Sequence, residues 1–236
     1  MTGFDDPRHA PVVVAHPDDI DFGMAGTVAT LTAAGTEVTY CLVTSGEAGP
    51  PDDMDRDELR ELREREQTAA AAEVGVTDLR FLHLPDGRLE PNLALRRDIS
   101  RVIRQVRPDL VIAQSGMRTY DSVYRNHPDH LAVGEATASA VYPDSRNRWA
   151  HTELLAEELE PHAVERMWIG GGEPNHFVDI TDVFDRKLAA LRCHASQVSG
   201  FEDLDGLLRN WAAGNAVAAG WPPGRLAEAF RQIDCR

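Results

Sequence analysis

Short apolar runs of strand type alternate with helix-patterned stretches through the first half of the chain, and this alternation restricts the fold more than any other feature. Val12–Ala15 is a continuous apolar run led by three valines, as expected of a strand buried on both faces. Gly26–Ala34 is a small-residue helical stretch closed by Gly35, and Thr36–Thr44 alternates before the loop from Ser45 to Pro51. Asp57–Val74 places Arg, Glu and Ala at helical spacing ahead of Gly75. Leu79–Leu84 is a third strand leading to the turn Pro85-Asp86-Gly87, Leu93–Val106 is a helix stopped before Pro108, and Asp109–Ala113 is a fourth strand. Connections of this kind are right-handed crossovers between parallel strands. The expectation is a Rossmann-like α/β fold, a mainly parallel sheet flanked by helices, in one domain over residues 1–236.

The pattern weakens past Pro143. Glu153–Glu160 reads as an acidic helix, Val164–Ile169 as a strand broken by Gly170-Gly171-Gly172, His176–Ile180 as a short extended segment, and Asp182–His194 as a helix. The core is expected over about residues 10–195, with 200–236 packing against the sheet as a helical tail.

A net charge of −15, with 24 Lys and Arg among 236 residues and no basic run, argues against a nucleic-acid partner. Three widely spaced cysteines, Cys41, Cys193 and Cys235, form no CxxC pair, which fits a reducing compartment. The segment before Val12 has neither the basic nor the apolar region of a signal peptide, and no run reaches the length of a membrane span. A cytoplasmic location is the expectation.

The first strand runs into His16-Pro17-Asp18-Asp19 rather than a glycine-rich phosphate loop, so dinucleotide binding loses its main support. A histidine and close-set carboxylates at the C-terminal edge of a sheet sit where open α/β folds keep ligands. His127-Pro128-Asp129-His130 follows Asn126, read as an N-cap, so that the two histidines share a helix face. A hydrolytic zinc ion typically takes three His or carboxylate ligands and keeps one position open. His16, Asp19 and His130 supply that set. Asp18 remains as general base, directed away from the ligands on an extended backbone; His127 is left to face the substrate carbonyl, and Asp129 to orient its imidazole.

With these residues in place, the chain resembles the LmbE-like, or PIG-L, family of zinc-dependent de-N-acetylases. The resemblance rests on Ala15-His16-Pro17-Asp18-Asp19 and His127-Pro128-Asp129-His130, supported by Thr44-Ser45-Gly46-Glu47-Ala48-Gly49, Arg63-Glu64-Arg65-Glu66 and Leu84-Pro85-Asp86-Gly87. It implies a hydrolase that removes acetyl, or a larger acyl group, from an amino-sugar conjugate, with the ligands, base and histidine roles assigned above. It implies sugar contacts at Arg63 and Asp86, and it is compatible with a homo-oligomer. Two departures stand out: Ile20-Asp21 follows the paired aspartates where many members have Glu, and Arg125 occupies a position often held by tyrosine. Tyr120 or Tyr124 is then a substitute for that tyrosine, and Arg125 a candidate for an oxyanion or an anionic substrate.

Glu47 is a further candidate substrate contact, balanced against a loop-capping role. His176, after the triple glycine, is either near a ligand or a core histidine, while His83, His151, His162 and His194 are read as ordinary structural histidines. Fe²⁺ suits the same ligands as Zn²⁺. Two alternatives stay open: an amidase for larger acyl amides such as mycothiol-type conjugates, and a non-catalytic sugar- or nucleotide-binding protein.

Overall fold

The computed structural model describes residues 7–51, 53–120, 123 and 126–236. In chain order the elements are β1 (His9–Val14), α1 (Asp19–Gly23), α2 (Ala25–Ala33), β2 (Glu37–Leu42), α3 (Arg56–Glu73), β3 (Asp78–Phe81), α4 (Leu93–Val106), β4 (Leu110–Gln114) and α5 (Pro128–Ser139). There follow α6 (Glu153–Ala156), β5 (Arg166–Gly170), β6 (His176–Asp179), α7 (Phe184–Arg192), α8 (Ala195–Val198), α9 (Leu204–Ala218) and β7 (Ala227–Asp234). Among the described residues the strands form one sheet in the order β3-β2-β1-β4-β5-β7-β6. The pairs β3–β2, β2–β1, β1–β4 and β4–β5 are parallel, and β7 is antiparallel to both neighbours. The α/β class and the mainly parallel sheet are as the alternation predicts.

Period-2 side chains on a doubly covered sheet explain the core. Val12 and Val14 enter one cluster with Val28, Tyr40, Leu42, Ala70 and Ala71, beneath α2 and α3. Val13 and Ala15 enter the opposite cluster with Ile99, Ile103, Val111 and Ala132, beneath α4 and α5. Local chemistry sets the helix starts. Asp55 caps α3 by accepting from the Asp57 and Glu58 amides at 2.8 and 3.4 Å, and Asn92 caps α4 by accepting from the Leu95 amide at 3.0 Å.

Two expectations need correction. The tail is not wholly helical: after α9 the chain returns as β7, whose Ala227 and Phe230 are buried and which fills the gap between β5 and β6. Long-range pairing with two strands, which no local pattern announces, determines its state. The acidic helix is one turn long, because Glu158 adopts a left-handed φ of 62°.

The chain steps from β1 to β2 and β3 on one side, then returns to β4 on the other. The crevice at this reversal lies between the ends of β1 and β4, the place where such sheets bind ligands. There α5 comes close to the exit of β4: a Cβ on Gly116 would lie 2.6 Å from the Glu135 amide nitrogen. Glycine at 116 and 134 therefore lets the middle of α5 stand directly against the exit of β4.

Candidate active site

Beyond β1 the backbone turns sharply. Asp18 has φ 83° and ψ −28°, in the left-handed region, and precedes α1 as its N-cap. The expected extended backbone is thus replaced by a strained turn, stabilised by Asp18 O accepting from the Asp21 and Phe22 amides, each at 2.9 Å. The turn places Asp19 back under His16, whose amide donates to Asp19 Oδ2 at 2.8 Å. Across the crevice, Pro128 opens α5 and His127 is its N-cap, with Nδ1 accepting from the Asp129 amide at 3.2 Å. His127 is therefore not on the helix face with His130, and Asn126 is not the cap; its side-chain amide bonds with the backbone of Thr119 instead.

Three candidate ligands converge at this point. His16 Nδ1 lies 3.2 Å from His130 Nε2 and 3.4 Å from Asp19 Oδ2, and His130 Nε2 lies 3.0 Å from Asp19 Oδ1. Ligand atoms bound tetrahedrally to zinc at its usual bond lengths stand about 3.3 to 3.5 Å apart. The donor set and spacing therefore fit a divalent ion. One ligand atom from His127 also falls in a group with His16 and His130 whose members lie within 4.8 Å of one another. Its Nδ1 already serves the Asp129 amide, so the neutral ring carries its proton on Nε2 and offers a donor to the crevice. Burial and the neighbouring His16 and His130 lower the His127 pKa, which favours that neutral form.

The other nitrogen of His16 faces away from this triangle. His16 Nε2 lies 2.9 Å from Asp86 Oδ1 and 3.3 Å from Asp129 Oδ2. Asp129 is fully buried and also accepts from the Gly87 amide at 2.7 Å and the Leu89 amide at 3.1 Å. Asp86 accepts in addition from the Ala48 amide at 2.9 Å. In the neutral ring these carboxylates favour the tautomer with the proton on Nε2, which leaves Nδ1 as the lone pair able to hold an ion. The Asp129 carboxylate thus meets His16, where the sequence predicts an orienting contact to His127, while its amide holds His127 Nδ1; the Asp86 carboxylate likewise meets His16. Burial alone would lower the His16 pKa, but hydrogen bonds with Asp129, Asp19 and Asp86 push it up to about 12. Without an ion the ring is therefore protonated on both nitrogens, and a cation at Nδ1 would take the place of the second proton.

Arg63 is also placed otherwise than the resemblance implies. Only 4% exposed, it donates through Nη2 to Asp18 Oδ2 at 3.1 Å and Pro17 O at 2.8 Å, and through Nη1 to Gly46 O at 2.8 Å. It grips the Asp18 carboxylate and the turn that carries it, so its described bonds go to this loop. Burial raises the Asp18 pKa to about 6, opposed by the Arg63 charge. Glu47 is buried; Oε1 accepts from the Asp86 amide at 3.0 Å, while Oε2 has no partner among the described residues. It lines a cavity of about 410 Å³ with Arg56, Arg60, His83, Pro85 and Arg88.

Arg125 and Tyr124 lie outside the described residues, and Tyr120 is exposed. His176 belongs to the edge strand β6 and packs on Trp168 with ring centroids 4.3 Å apart, far across the sheet from β1. A group missed in the sequence is the fully buried pair His194 and Asp21, with Nε2 to Oδ2 at 2.8 Å. The available signal was Gln67, one turn after Arg63 on α3, which joins the pair to Asp18.

The family model described as GlcNAc-PI de-N-acetylase (PIG-L) matches residues 11–141. A diacetylchitobiose deacetylase of Thermococcus kodakarensis is 33% identical over 82% of this chain and 72% of its own length. A probable N-acetyl-α-D-glucosaminyl L-malate deacetylase of Bacillus subtilis is 32% identical over 86% of this chain and 90% of its own. The structure of N,N′-diacetylchitobiose deacetylase from Pyrococcus horikoshii superposes with a TM-score of 0.88 at 30% identity, covering 97% of this chain and 85% of that one. Among the described residues, no helix is long and apolar enough to cross a membrane. With more than half of its 236 residues matched, including both His/Asp motifs, the chain belongs to the PIG-L family of de-N-acetylases.

Proposed function

We propose that this chain is a zinc-dependent hydrolase that removes the N-acetyl group from an N-acetylglucosamine conjugate. The observation that carries this reading is the donor triangle of His16 Nδ1, Asp19 and His130 Nε2, with the Asp18 carboxylate and the His127 ring beside it. A divalent ion held there supplies Lewis-acid polarisation of the amide carbonyl and a lowered pKa for the attacking water. Asp18 takes the proton of that water as its oxygen adds to the carbonyl carbon. Arg63 keeps the Asp18 carboxylate oriented and favours its ionised form despite burial. His127 donates its Nε2–H to the oxyanion that develops on the carbonyl oxygen. As the C–N bond breaks, Asp18 returns the proton to the departing nitrogen, giving acetate and a free amino sugar. Glu47, which lines the cavity with Arg56, Arg60 and Arg88, is assigned to accept a sugar hydroxyl.

The test is amine release from a panel of N-acetylglucosaminyl compounds with neutral and acidic aglycones, before and after chelation and with zinc or Fe²⁺ restored. Chelator-sensitive release that zinc restores supports the reading, and the preferred aglycone assigns the substrate. No release from fully metal-loaded protein, with turnover of bulkier acyl amides, would replace acetyl by a larger acyl group. Binding of the same sugars without any product would overturn the hydrolase.

A further inference from the structure

We propose that Gln67, Asp21 and His194 form a buried relay that positions the Asp18 carboxylate by holding its backbone. The inference rests on the reading of Asp18 as base. Asp18 occupies a left-handed conformation that a non-glycine residue keeps only when its surroundings enforce it. Its amide N–H donates to Gln67 Oε1 at 3.0 Å. The same side chain donates through Nε2 to Asp21 Oδ2 at 2.9 Å, and Asp21 Oδ2 accepts a second bond, from His194 Nε2 at 2.8 Å.

The order of donors and acceptors gives the relay its direction. His194 Nδ1 meets no partner among the described residues, so the tautomer with the proton on Nε2 is the one that satisfies Asp21. With His194 holding the carboxylate in place, Asp21 attracts the amide nitrogen of Gln67. The oxygen of Gln67 must then face Asp18, because a flipped amide would set its NH2 against the Asp18 N–H and its oxygen against a carboxylate. Gln67, Asp21 and His194 are each fully buried, so water does not compete for these bonds. Lys187 steadies the turn from below by donating to Asp21 O at 3.1 Å and Phe22 O at 2.7 Å.

Arg63 and Gln67 lie four residues apart on α3, on one face. Arg63 holds the Asp18 side chain while Gln67 holds its main chain. Asp21 thus has a role toward the base, and His194 and Lys187 link the α7–α8 segment to its turn. These are positioning residues, since none of them is within hydrogen-bond reach of the donor triangle.

The relay is tested on zinc-loaded protein with Gln67→Met, His194→Leu, His194→Gln and the Gln67→Met/His194→Leu double variant, beside Asp18→Asn. Amide hydrogen exchange at Asp18 is read against the amides of β1, which report global opening. Steady-state kcat and KM on N,N′-diacetylchitobiose and a GlcNAc-malate conjugate, together with zinc content, complete the measurement. Gln67→Met and His194→Leu are expected to speed exchange at Asp18 selectively. They should also lower kcat by about 10- to 100-fold, the scale of a small misplacement of a catalytic group, with KM and zinc content retained. His194→Gln, which keeps a donor toward Asp21, should recover most of the loss, and the double variant should fall little further than either single one, as members of one chain do. An Asp18 amide that exchanges alike in the parent and Gln67→Met overturns the relay. So does a kcat unchanged once that amide is freed, or losses that multiply in the double variant. Full activity in Asp18→Asn would remove the base assignment instead, while absence of turnover by the parent would strike the proposed function and leave the exchange result to decide the relay.

Discussion

Asp86→Asn separates two roles for this aspartate, since the resemblance implies a sugar contact and the structure places it behind His16. Asp86 Oδ1 meets His16 Nε2 at 2.9 Å, and Oδ2 accepts from the Ala48 amide at 2.9 Å. Asparagine has the same shape but only one accepting oxygen. If that oxygen stays on His16, the Ala48 N–H faces an NH2 group, and an unmet buried donor costs about 1 to 3 kcal/mol. If it turns to Ala48, the NH2 group favours an unprotonated His16 Nε2, which moves the ring proton to the metal-facing Nδ1. Asp129, at 3.3 Å on the same nitrogen, opposes that change and limits the damage. Losses of this kind weaken metal binding by about 10- to 100-fold, equivalent to about 1.4 to 2.7 kcal/mol. The assay is zinc affinity by chelator competition, paired with KM for the sugar substrate on metal-saturated protein. The expected result is a raised zinc Kd with KM almost unchanged at saturating zinc. Unaltered zinc affinity with a KM raised tenfold or more would refute the reasoning and return Asp86 to the substrate.

Three further outcomes follow from packing and charge. Gly134→Ala sets a methyl group against the backbone of Ser115 and Gly116, and should cost about 1 to 3 kcal/mol in urea unfolding; a parental midpoint would show that α5 can retreat freely. Lys187→Met removes the cation 2.7 Å from buried Glu228, whose carboxylate keeps the Gly26 and Thr27 amides, and should cost up to about 3 kcal/mol. Adding Glu228→Gln should recover part of that loss, and two additive losses would mean that the pair is not coupled. Asp144 is drawn below the usual carboxylate range by Arg96 and His151, against the opposing effect of burial. A depressed folded pKa gives stability that is present above the unfolded value near about 4 and lost on acidification through the folded one. Asp144→Asn should therefore flatten that acid-side loss in unfolding experiments at graded pH, and an unchanged slope would count against the Asp144 pair.

Much of the site can be read along the chain because its two halves are local motifs. An apolar run that ends in His16-Pro17-Asp18-Asp19, and a proline-opened helix behind His127, assemble the donor types before any packing is known. The strands β1 to β4 are equally legible, since each carries its own apolar pattern within a few residues. β7 is not: its alternation is shallow, and it exists because β5 and β6 each offer an edge to pair with. The backbone of Asp18 is not legible in the sequence for a related reason, as its left-handed turn is held by Gln67 and Arg63 from α3.

What the sequence by itself determined is the inventory and its order: a mainly parallel α/β sheet, a His/Asp pair of motifs at strand ends, and the family to which they belong. The direction in which each side chain works was decided by the tertiary structure. His16 and His130 are 114 residues apart, and His194 and Asp21 are 173 apart. Only folding shows that one nitrogen of His16 faces His130 and Asp19 while the other faces Asp86 and Asp129, or that Arg63 is buried against Asp18. Residue type sets which bonds a group is able to make. Which of them it does make depends on burial and on partners from distant segments, and these arise only when the sheet brings the ends of β1 and β4 together.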